Sequence, residues 1–365
     1  MGFRCGIVGL PNVGKSTLFN ALTKTAAAQA ANFPFCTIEP NIGNVAVPDP
    51  RLDALADIAG SAQRVPARLS FVDIAGLVRG ASKGEGLGNQ FLGNIREVDA
   101  IAHVLRCFED GDVTHVEGRV DPLADADTVD TELMLSDLEA LEKREANLRK
   151  KATTKDKDAT AELELVDLAL AELQAGRPAR CADIPKGRER DFKSLQLITA
   201  KPVIYVCNIE EDSAADGNSL SAKVAERAAA EGAQAVVISA RIEEELAQLD
   251  DCERLEYLDT LGLSEPGLNR LIRQGYDLLE LITYFTAGPK EARAWTIRRG
   301  TPAPQAAGVI HTDFERGFIR AETIGYDDYT QLNGEQGARD AGRLRQEGKD
   351  YVVQDGDVML FRFNV

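Results

Sequence analysis

Apolar and amphipathic segments alternate along the first 280 residues in the pattern of a parallel α/β sheet. Short apolar runs predict strands at residues 3–9, 43–47, 69–72, 101–108, 202–207 and 235–238. Helical spacing follows the first run, at about 15–25. Strands that alternate with helices favour a doubly wound sheet, so we predict an α/β domain over residues 1–280.

A different periodicity begins after residue 130 and predicts a helical insertion. Apolar residues recur at coiled-coil spacing in two segments, Met134, Leu138, Leu141 and Leu148 in the first and Ala159, Leu163, Val166, Leu170 and Leu173 in the second. The charged run 150–158 joins the two segments. We therefore predict an antiparallel helical hairpin with a coiled-coil seam, in an insertion that spans 128–198.

The last part of the chain changes pattern again, to short β-like runs. Such runs occur at 294–297, 317–321 and 350–353, and a final strand is predicted at 358–363. Asp355-Gly356 between β-like runs is a hairpin signal. These features predict a small α+β domain over residues 282–365.

Composition and charge narrow the class of protein. The 365 residues are 44% hydrophobic and 28% charged, as in a soluble globular protein, and no apolar run is long enough for a transmembrane helix. The N-terminus leads directly into the first strand, so we expect no signal peptide and a cytoplasmic, monomeric protein. Six scattered cysteines without a C-x-x-C pair indicate neither a zinc site nor a disulfide framework. The net charge of −17 argues against DNA binding and leaves RNA contact to the nearly neutral C-terminal part.

The segment Gly9–Thr17 has the composition of a phosphate-binding loop. It fits G-x-x-x-x-G-K-[ST] and lies between a predicted strand and a predicted helix, the context that this motif requires. Its glycines allow backbone N–H groups to face a phosphate chain at the helix N-terminus. Lys15 would reach the β- and γ-phosphates, and the Ser16 hydroxyl would ligate Mg²⁺.

Two further segments supply the expected companions of this loop. Asp73-x-x-Gly76 follows a strand, where a carboxylate would hold Mg²⁺ through water and a glycine N–H would meet the γ-phosphate. Thr37, in a loop bracketed by prolines, is a second candidate hydroxyl ligand of Mg²⁺. The alternative for Thr37 is a loop residue that caps its own backbone.

Base recognition is expected after the strand at 202–207. GTPases have N-K-x-D there, whereas this chain has Asn208-Ile209-Glu210-Glu211. The missing Asp removes guanine's bidentate partner, which favours adenine or relaxed specificity. The alternative, that Glu211 still recognises guanine, remains open. Ser239-Ala240-Arg241 after the last strand resembles the loop that completes a base pocket.

Taken together, these motifs resemble those of YchF, the Obg-like ATPase family. The resemblance rests on residues 32–37, 73–91, 208–211 and 294–365, and it covers essentially the whole chain. It implies a Ras-like nucleotide domain, a coiled-coil insertion and a C-terminal TGS domain of β-grasp form. It also implies preference for ATP over GTP and association with the ribosome, which we expect through the coiled coil and the TGS domain. Lys150, Lys151, Lys155 and Lys157 at the hairpin tip leave an rRNA contact open, and a solvated hairpin without a partner is the alternative. By position, it places nucleotide contacts on Asn12, Val13, Gly14, Lys15, Ser16, Thr17 and Ile209, and Mg²⁺ ligands on Ser16 and Thr37.

The residue that would orient the attacking water is not obvious from the motifs. Ras-type enzymes use a Gln directly after D-x-x-G, and Leu77 occupies that position here. His115, in a loop after the strand at 101–108, is our candidate, and the family's proposed catalytic His resembles it. An ordinary surface histidine is the alternative. Residues 80–88 are glycine-rich and predict a switch segment, with a flexible surface loop without a signalling role as the alternative. Asn12 resembles an Asn that binds K⁺ in some related GTPases.

Two other functions remain open at this point. One is a GTP-driven switch like the Obg GTPases, and the other is a scaffold that binds ATP without hydrolysing it. A metabolic kinase is not favoured, because no second acceptor site with catalytic carboxylates stands out.

Overall fold

The computed structural model describes residues 3–30, 41–74, 87–109, 119–154 and 156–364. The strands are β1 (Arg4–Val8), β2 (Ile42–Ala46), β3 (Gln63–Val65), β4 (Arg68–Asp73), β5 (Ala100–Arg106), β6 (Val203–Asn208), β7 (Gln234–Ile238), β8 (Leu281–Ala287), β9 (Glu291–Arg298), β10 (Phe318–Gly325), β11 (Arg345–Glu347) and β12 (Asp357–Phe363). The helices are α1 (Lys15–Ala30), α2 (Pro50–Ala59), α3 (Leu87–Glu97), α4 (Pro122–Ala152), α5 (Lys157–Gln174), α6 (Glu189–Ser194), α7 (Ser219–Ala230), α8 (Ala240–Leu246), α9 (Asp251–Thr260), α10 (Gly267–Leu278), α11 (Ala303–Ile310), α12 (Thr312–Arg316), α13 (Tyr326–Gln331) and α14 (Glu335–Asp340). Short 3-10 turns occur at Ala179–Cys181 and Glu211–Ser213.

The chain forms two compact units, and their boundaries differ from the predicted ones. One unit contains 3–43 and 70–271, and the other contains 44–69 together with 272–365. The sequence analysis places 44–69 in the N-terminal domain, because nothing local links this segment to a strand more than 200 residues away. In the structure β3 pairs in parallel with β9, and α2 packs on β8 and β9.

The first unit is a doubly wound α/β sheet, as predicted. Its strand order is β2-β4-β1-β5-β6-β7, and the pairs β1–β4, β1–β5, β5–β6 and β6–β7 are parallel. Every residue of β5 and β6 is buried, as expected for central strands with both faces covered. The carboxyl ends of β1, β4, β5, β6 and β7 therefore meet at one edge, where ligands bind in folds of this type.

The helical hairpin is formed by α4 and α5, and its seam is the predicted one. Of the nine seam residues, six are buried and Met134, Leu138 and Leu163 are half-buried against the same cluster. α4 begins at Pro122, six residues before the predicted start at 128, because Asp121 caps it by accepting a hydrogen bond from Ala124 N. The buried Asp137 fixes the base of the hairpin, since its carboxylate accepts from Ile198 N, Thr199 N and Thr199 Oγ1 at 3.0, 2.7 and 2.7 Å.

The second unit contains a sheet in which the first and last strands of the C-terminal segment are parallel neighbours. The strand order is β11-β10-β12-β8-β9-β3, with β8 and β12 parallel at the centre and β8–β9, β10–β12 and β10–β11 antiparallel. This β-grasp arrangement confirms the predicted α+β class. The prediction of a strand at 350–353 was wrong, because this segment forms only an isolated bridge between Val352 and Pro302. Asp355 does not close a hairpin there; it accepts a hydrogen bond from Thr283 N and pairs with Arg51.

No helix in the described part of the chain is both long and apolar enough to cross a membrane.

Candidate nucleotide-binding site

The phosphate loop joins β1 to α1 and depends on glycine at two positions. Gly9 has φ +153°, and a Cβ there would lie 2.5 Å from Val104 O. Gly14 has φ +95°, and a Cβ there would lie 2.2 Å from Asn208 Nδ2. Both are backbone conformations that other residues rarely adopt, in places where no side chain fits. The sequence motif and the folded loop therefore agree in their requirement for glycine.

Lys15 is buried at the centre of the loop. Its Nζ donates a 2.6 Å hydrogen bond to Leu10 O, and the residue is only 8% exposed. Burial lowers the pKa of this ammonium to about 8, against a smaller opposing effect of the nearby Asp73 carboxylate. An ammonium removed from water in this way interacts strongly with a phosphate that enters the loop.

Ser16 and Asp73 are the two predicted magnesium ligands that lie within the described residues, and only Ser16 lines the cavity beside the phosphate loop. Ser16 is the exposed second residue of α1, and Asp73 ends β4 directly beside β1, in register with Ile7. Asp73 is half-buried, and desolvation raises its pKa while Lys15 opposes that rise. A hydroxyl in the first turn of α1 and a carboxylate at the end of β4 are oxygen donors of the kind that Mg²⁺ takes alongside phosphate oxygens. The residues present thus fit the ion.

Asn208 ties the phosphate loop to the base side of the site. Its Nδ2 donates to Val13 O at 3.0 Å, and its Oδ1 accepts from Ala240 N at 2.9 Å. The residue is buried at the end of β6, so both bonds are shielded from water. Sequence reasoning proposes Asn208 as a nucleotide contact, and the structure adds that it joins three loops of the site through its amide.

A single cavity of 910 Å³ extends from the phosphate loop to the loops after β6 and β7. Its lining residues are Asn12, Gly14, Lys15, Ser16, Thr17, Phe108, Glu109, Asn208, Ile209, Glu210, Glu211, Ser239, Ala240, Arg241 and Glu244. Ten of these are predicted site residues, and the structure brings them to one place. Val13 is buried behind the loop and does not line the cavity.

The sequence analysis assigns no role to Phe108, Glu109, Glu210 and Glu244, and it includes Arg241 only as part of the loop 239–241; all five line the cavity. Phe108 and Glu109 follow β5, and strand order alone would have indicated them, because β5 lies between β1 and β6. Arg241 and Glu244 lie in the first turns of α8. The sequence places Arg241 in the loop after the last strand, whereas nothing in the local sequence distinguishes Glu244 from other charged residues on a helix surface.

The remaining predicted positions lie outside the described residues. These are Thr37, Gly76, Leu77 and His115, with nearly all of the glycine-rich segment 80–88. Their assigned roles stay predictions.

Sequence profiles and solved structures agree on the relatives of this chain. The family described as "50S ribosome-binding GTPase" matches residues 4–135, and the YchF-GTPase_C family, described as a protein of unknown function, matches residues 281–364. The chain is 58% identical over 365 residues to "Ribosome-binding ATPase YchF" of Haemophilus influenzae and 52% identical over 367 residues to the protein of that name from Bacillus subtilis. Both matches cover the whole of each chain.

A solved structure extends this likeness to the fold. The structure of the Schizosaccharomyces pombe YchF GTPase superposes with a TM-score of 0.89 at 41% identity, covering 99% of this chain and 98% of that one. Full-length identity above half in two bacteria, together with the shared fold, leads to one conclusion. The chain belongs to the YchF family.

Proposed function

We propose that the protein is a Mg²⁺-dependent ATPase that prefers ATP to GTP and acts as a nucleotide-controlled switch on the ribosome. The observation that supports this most directly is the continuous cavity between the phosphate loop and the Asn208–Glu211 segment. It has room for a triphosphate at one end and a purine at the other. Relatives named "Ribosome-binding ATPase YchF", identical at more than half of their positions, support the same activity and partner.

The base end of the cavity supports the preference for adenine. Ile209 takes the place of the lysine found in N-K-x-D, and its backbone N–H is already bonded to Ile238 O at 2.9 Å. Glu211 extends the usual carboxylate by one methylene and begins a 3-10 turn. Neither residue reproduces the Lys and Asp of N-K-x-D, so the site lacks the contacts by which GTPases favour guanine.

The proposed roles of the individual residues follow from their positions. Lys15 binds the β- and γ-phosphates, while Ser16, Thr37 and Asp73 hold Mg²⁺, which supplies positive charge to the phosphates when bound. Gly76 donates its N–H to the γ-phosphate. His115 orients the attacking water. K⁺ at Asn12 is a further candidate ligand.

Association with the ribosome is proposed through the helical hairpin and the C-terminal unit. Lys150, Lys151 and Lys157 are exposed near the hairpin tip, where they would meet rRNA phosphates. We further propose that the protein acts as a monomer in the cytoplasm.

Calorimetric titration of nucleotide-free protein with ATP, GTP and their diphosphates, in the presence of Mg²⁺, tests the nucleotide part of this proposal. We expect tighter binding of ATP than of GTP, and loss of both in Lys15→Ala. Ribosome pelleting with and without a non-hydrolysable ATP analogue tests the switch. Tighter binding of GTP, or pelleting that is independent of nucleotide, would contradict the respective part.

A GTP-driven switch is the second candidate, and one observation favours it. Glu211 lines the cavity and still presents a carboxylate at the base end. The same titration decides between the two nucleotides. Single-turnover hydrolysis of bound ATP would exclude a scaffold that only binds it.

A further inference from the structure

Glu211 is engaged by a neighbouring cation inside the proposed base pocket. Arg241 Nε lies 2.9 Å from Glu211 Oε1, and both residues line the same cavity. The Arg241 side chain is 77% exposed and that of Glu211 37% exposed. The ion pair is thus at the mouth of the cavity, within reach of a base that enters it.

The backbone holds the two partners of this ion pair close together. Glu211 follows β6, and Arg241 is the second residue of α8. Ile209 N donates to Ile238 O at 2.9 Å, and Ala240 N donates to Asn208 Oδ1 at 2.9 Å. These two bonds lock the loop after β6 to the loop after β7, so the pair is positioned by buried contacts.

Two other carboxylates of the cavity, Glu210 and Glu244, have partners other than Arg241. Glu210 accepts hydrogen bonds from Ser213 Oγ at 2.7 Å and Asn218 Nδ2 at 3.1 Å, which turn it toward its own loop. Glu244 lies 3.5 Å from Lys24 Nζ, on the side of α1. Glu211 is therefore the carboxylate whose charge at the base end depends on Arg241.

The two purines respond in opposite ways to a carboxylate at this position. Guanine offers two donors, N1–H and the 2-amino group, which need both oxygens of a carboxylate. Adenine offers an acceptor at N1 and no 2-amino group, so an unpaired carboxylate there repels it. A guanidinium bound to one oxygen competes with the bidentate contact to guanine and offsets the negative charge that adenine would meet.

We propose that Arg241 is a specificity-determining residue, which withholds the Glu211 carboxylate from guanine and thereby favours adenine. This inference rests on the proposed function, since it assumes that a purine nucleotide occupies the cavity. Arg241 acts through Glu211 and is in that sense a positioning residue.

The size of the effect follows from the exposure of the pair. Exposed ion pairs are weak and screened by salt, so the change in relative affinity should be modest. We expect Arg241→Gln to lower the ratio of ATP affinity to GTP affinity by about two- to five-fold at low ionic strength. The difference should shrink as salt is added.

The test is a double-mutant cycle in the full-length protein. Dissociation constants for non-hydrolysable ATP and GTP analogues are measured by calorimetry for the wild type, Arg241→Gln, Glu211→Gln and the double variant. We expect Arg241→Gln to raise GTP affinity and lower ATP affinity, and to change neither affinity in the Glu211→Gln background. Arg241→Lys should restore part of the discrimination, because it restores the charge.

Each other outcome overturns the inference in a recognisable way. An unchanged ratio in Arg241→Gln, with tight binding of both analogues, would refute the role of Arg241 and leave the proposed function intact. Equal loss of both affinities, regardless of Glu211, would mean that Arg241 contacts the nucleotide directly. Failure of the wild type to bind either analogue would refute the proposed function and this inference with it.

Discussion

Replacement of Asn208 by Ala should uncouple the phosphate loop from the base side of the site. The wild-type amide makes two buried hydrogen bonds, one to Val13 O at 3.0 Å and one from Ala240 N at 2.9 Å. Alanine removes both hydrogen bonds and leaves Val13 O and Ala240 N without the side-chain partner that each has in the wild type. The variant therefore tests whether the three loops of the site are held by this one side chain.

The magnitude follows from the cost of unsatisfied buried groups. Each orphaned group costs about 1–3 kcal/mol, so the free energy of unfolding should fall by about 2–4 kcal/mol, with some relief if water enters. Nucleotide affinity should fall as well, because in the variant the phosphate loop becomes ordered only when the nucleotide binds, and this ordering reduces the net free energy of binding. A loss of about 1.4 kcal/mol in binding would appear as a tenfold higher Kd.

Urea unfolding followed by circular dichroism and calorimetry with a non-hydrolysable ATP analogue measure the two effects. Asn20→Ala is a matched control, since Asn20 is exposed on α1 and its loss should change stability by less than about 0.5 kcal/mol. If Asn208→Ala unfolds like the wild type and binds the analogue equally well, the tie between the loops is not what orders the site.

Four further predictions address other parts of the molecule. Gly14→Ala should weaken binding of the ATP analogue at least tenfold in calorimetry, because its Cβ would meet the amide nitrogen that tethers the loop at 2.2 Å. Burial raises the pKa of Glu243 to about 7, so the folded state binds a proton more tightly than the unfolded state. The free energy of unfolding should therefore fall by about 3 kcal/mol as pH rises from about 4.5 to 7. In urea unfolding, Glu243→Gln should not show this decrease with pH. Leu141→Ala, at the buried seam of the hairpin, should cost about 2–4 kcal/mol in thermal or urea unfolding, whereas Leu135→Ala, 43% exposed on the same helix, should cost less than about 1 kcal/mol. His115→Ala should lower ATP turnover tenfold or more without weakening nucleotide binding, and an unchanged kcat would remove this residue from the mechanism.

The sequence alone determined those features whose signal is local. The phosphate loop is a contiguous motif in which glycine is required by backbone conformation, so its composition indicates its shape and its ligand. The hairpin seam is a periodic pattern, and each of its residues packs where the spacing predicted. The central strand β6 is buried throughout and apolar up to its last residue, Asn208, because both of its faces are covered.

Tertiary structure decided the features that depend on contacts between distant segments. The segment 44–69 joins the C-terminal unit through backbone pairing of β3 with β9. The side-chain pattern of a three-residue strand is too short to predict this pairing. The predicted strand at 350–353 failed because a β-like composition forms a strand only where a neighbour is available to pair with it.

The same distinction applies within the site. Sequence placed Asn208 and Glu211 near the base, because they follow a strand whose carboxyl end faces the ligand. It could not indicate that both polar atoms of the Asn208 side chain form hydrogen bonds within the protein. Nor could it indicate that Arg241, 30 residues further along the chain, pairs with Glu211. Local sequence fixes which chemical groups are present and how the backbone near them bends, whereas hydrogen bonds and ion pairs between loops exist only once the sheet has set the loops side by side.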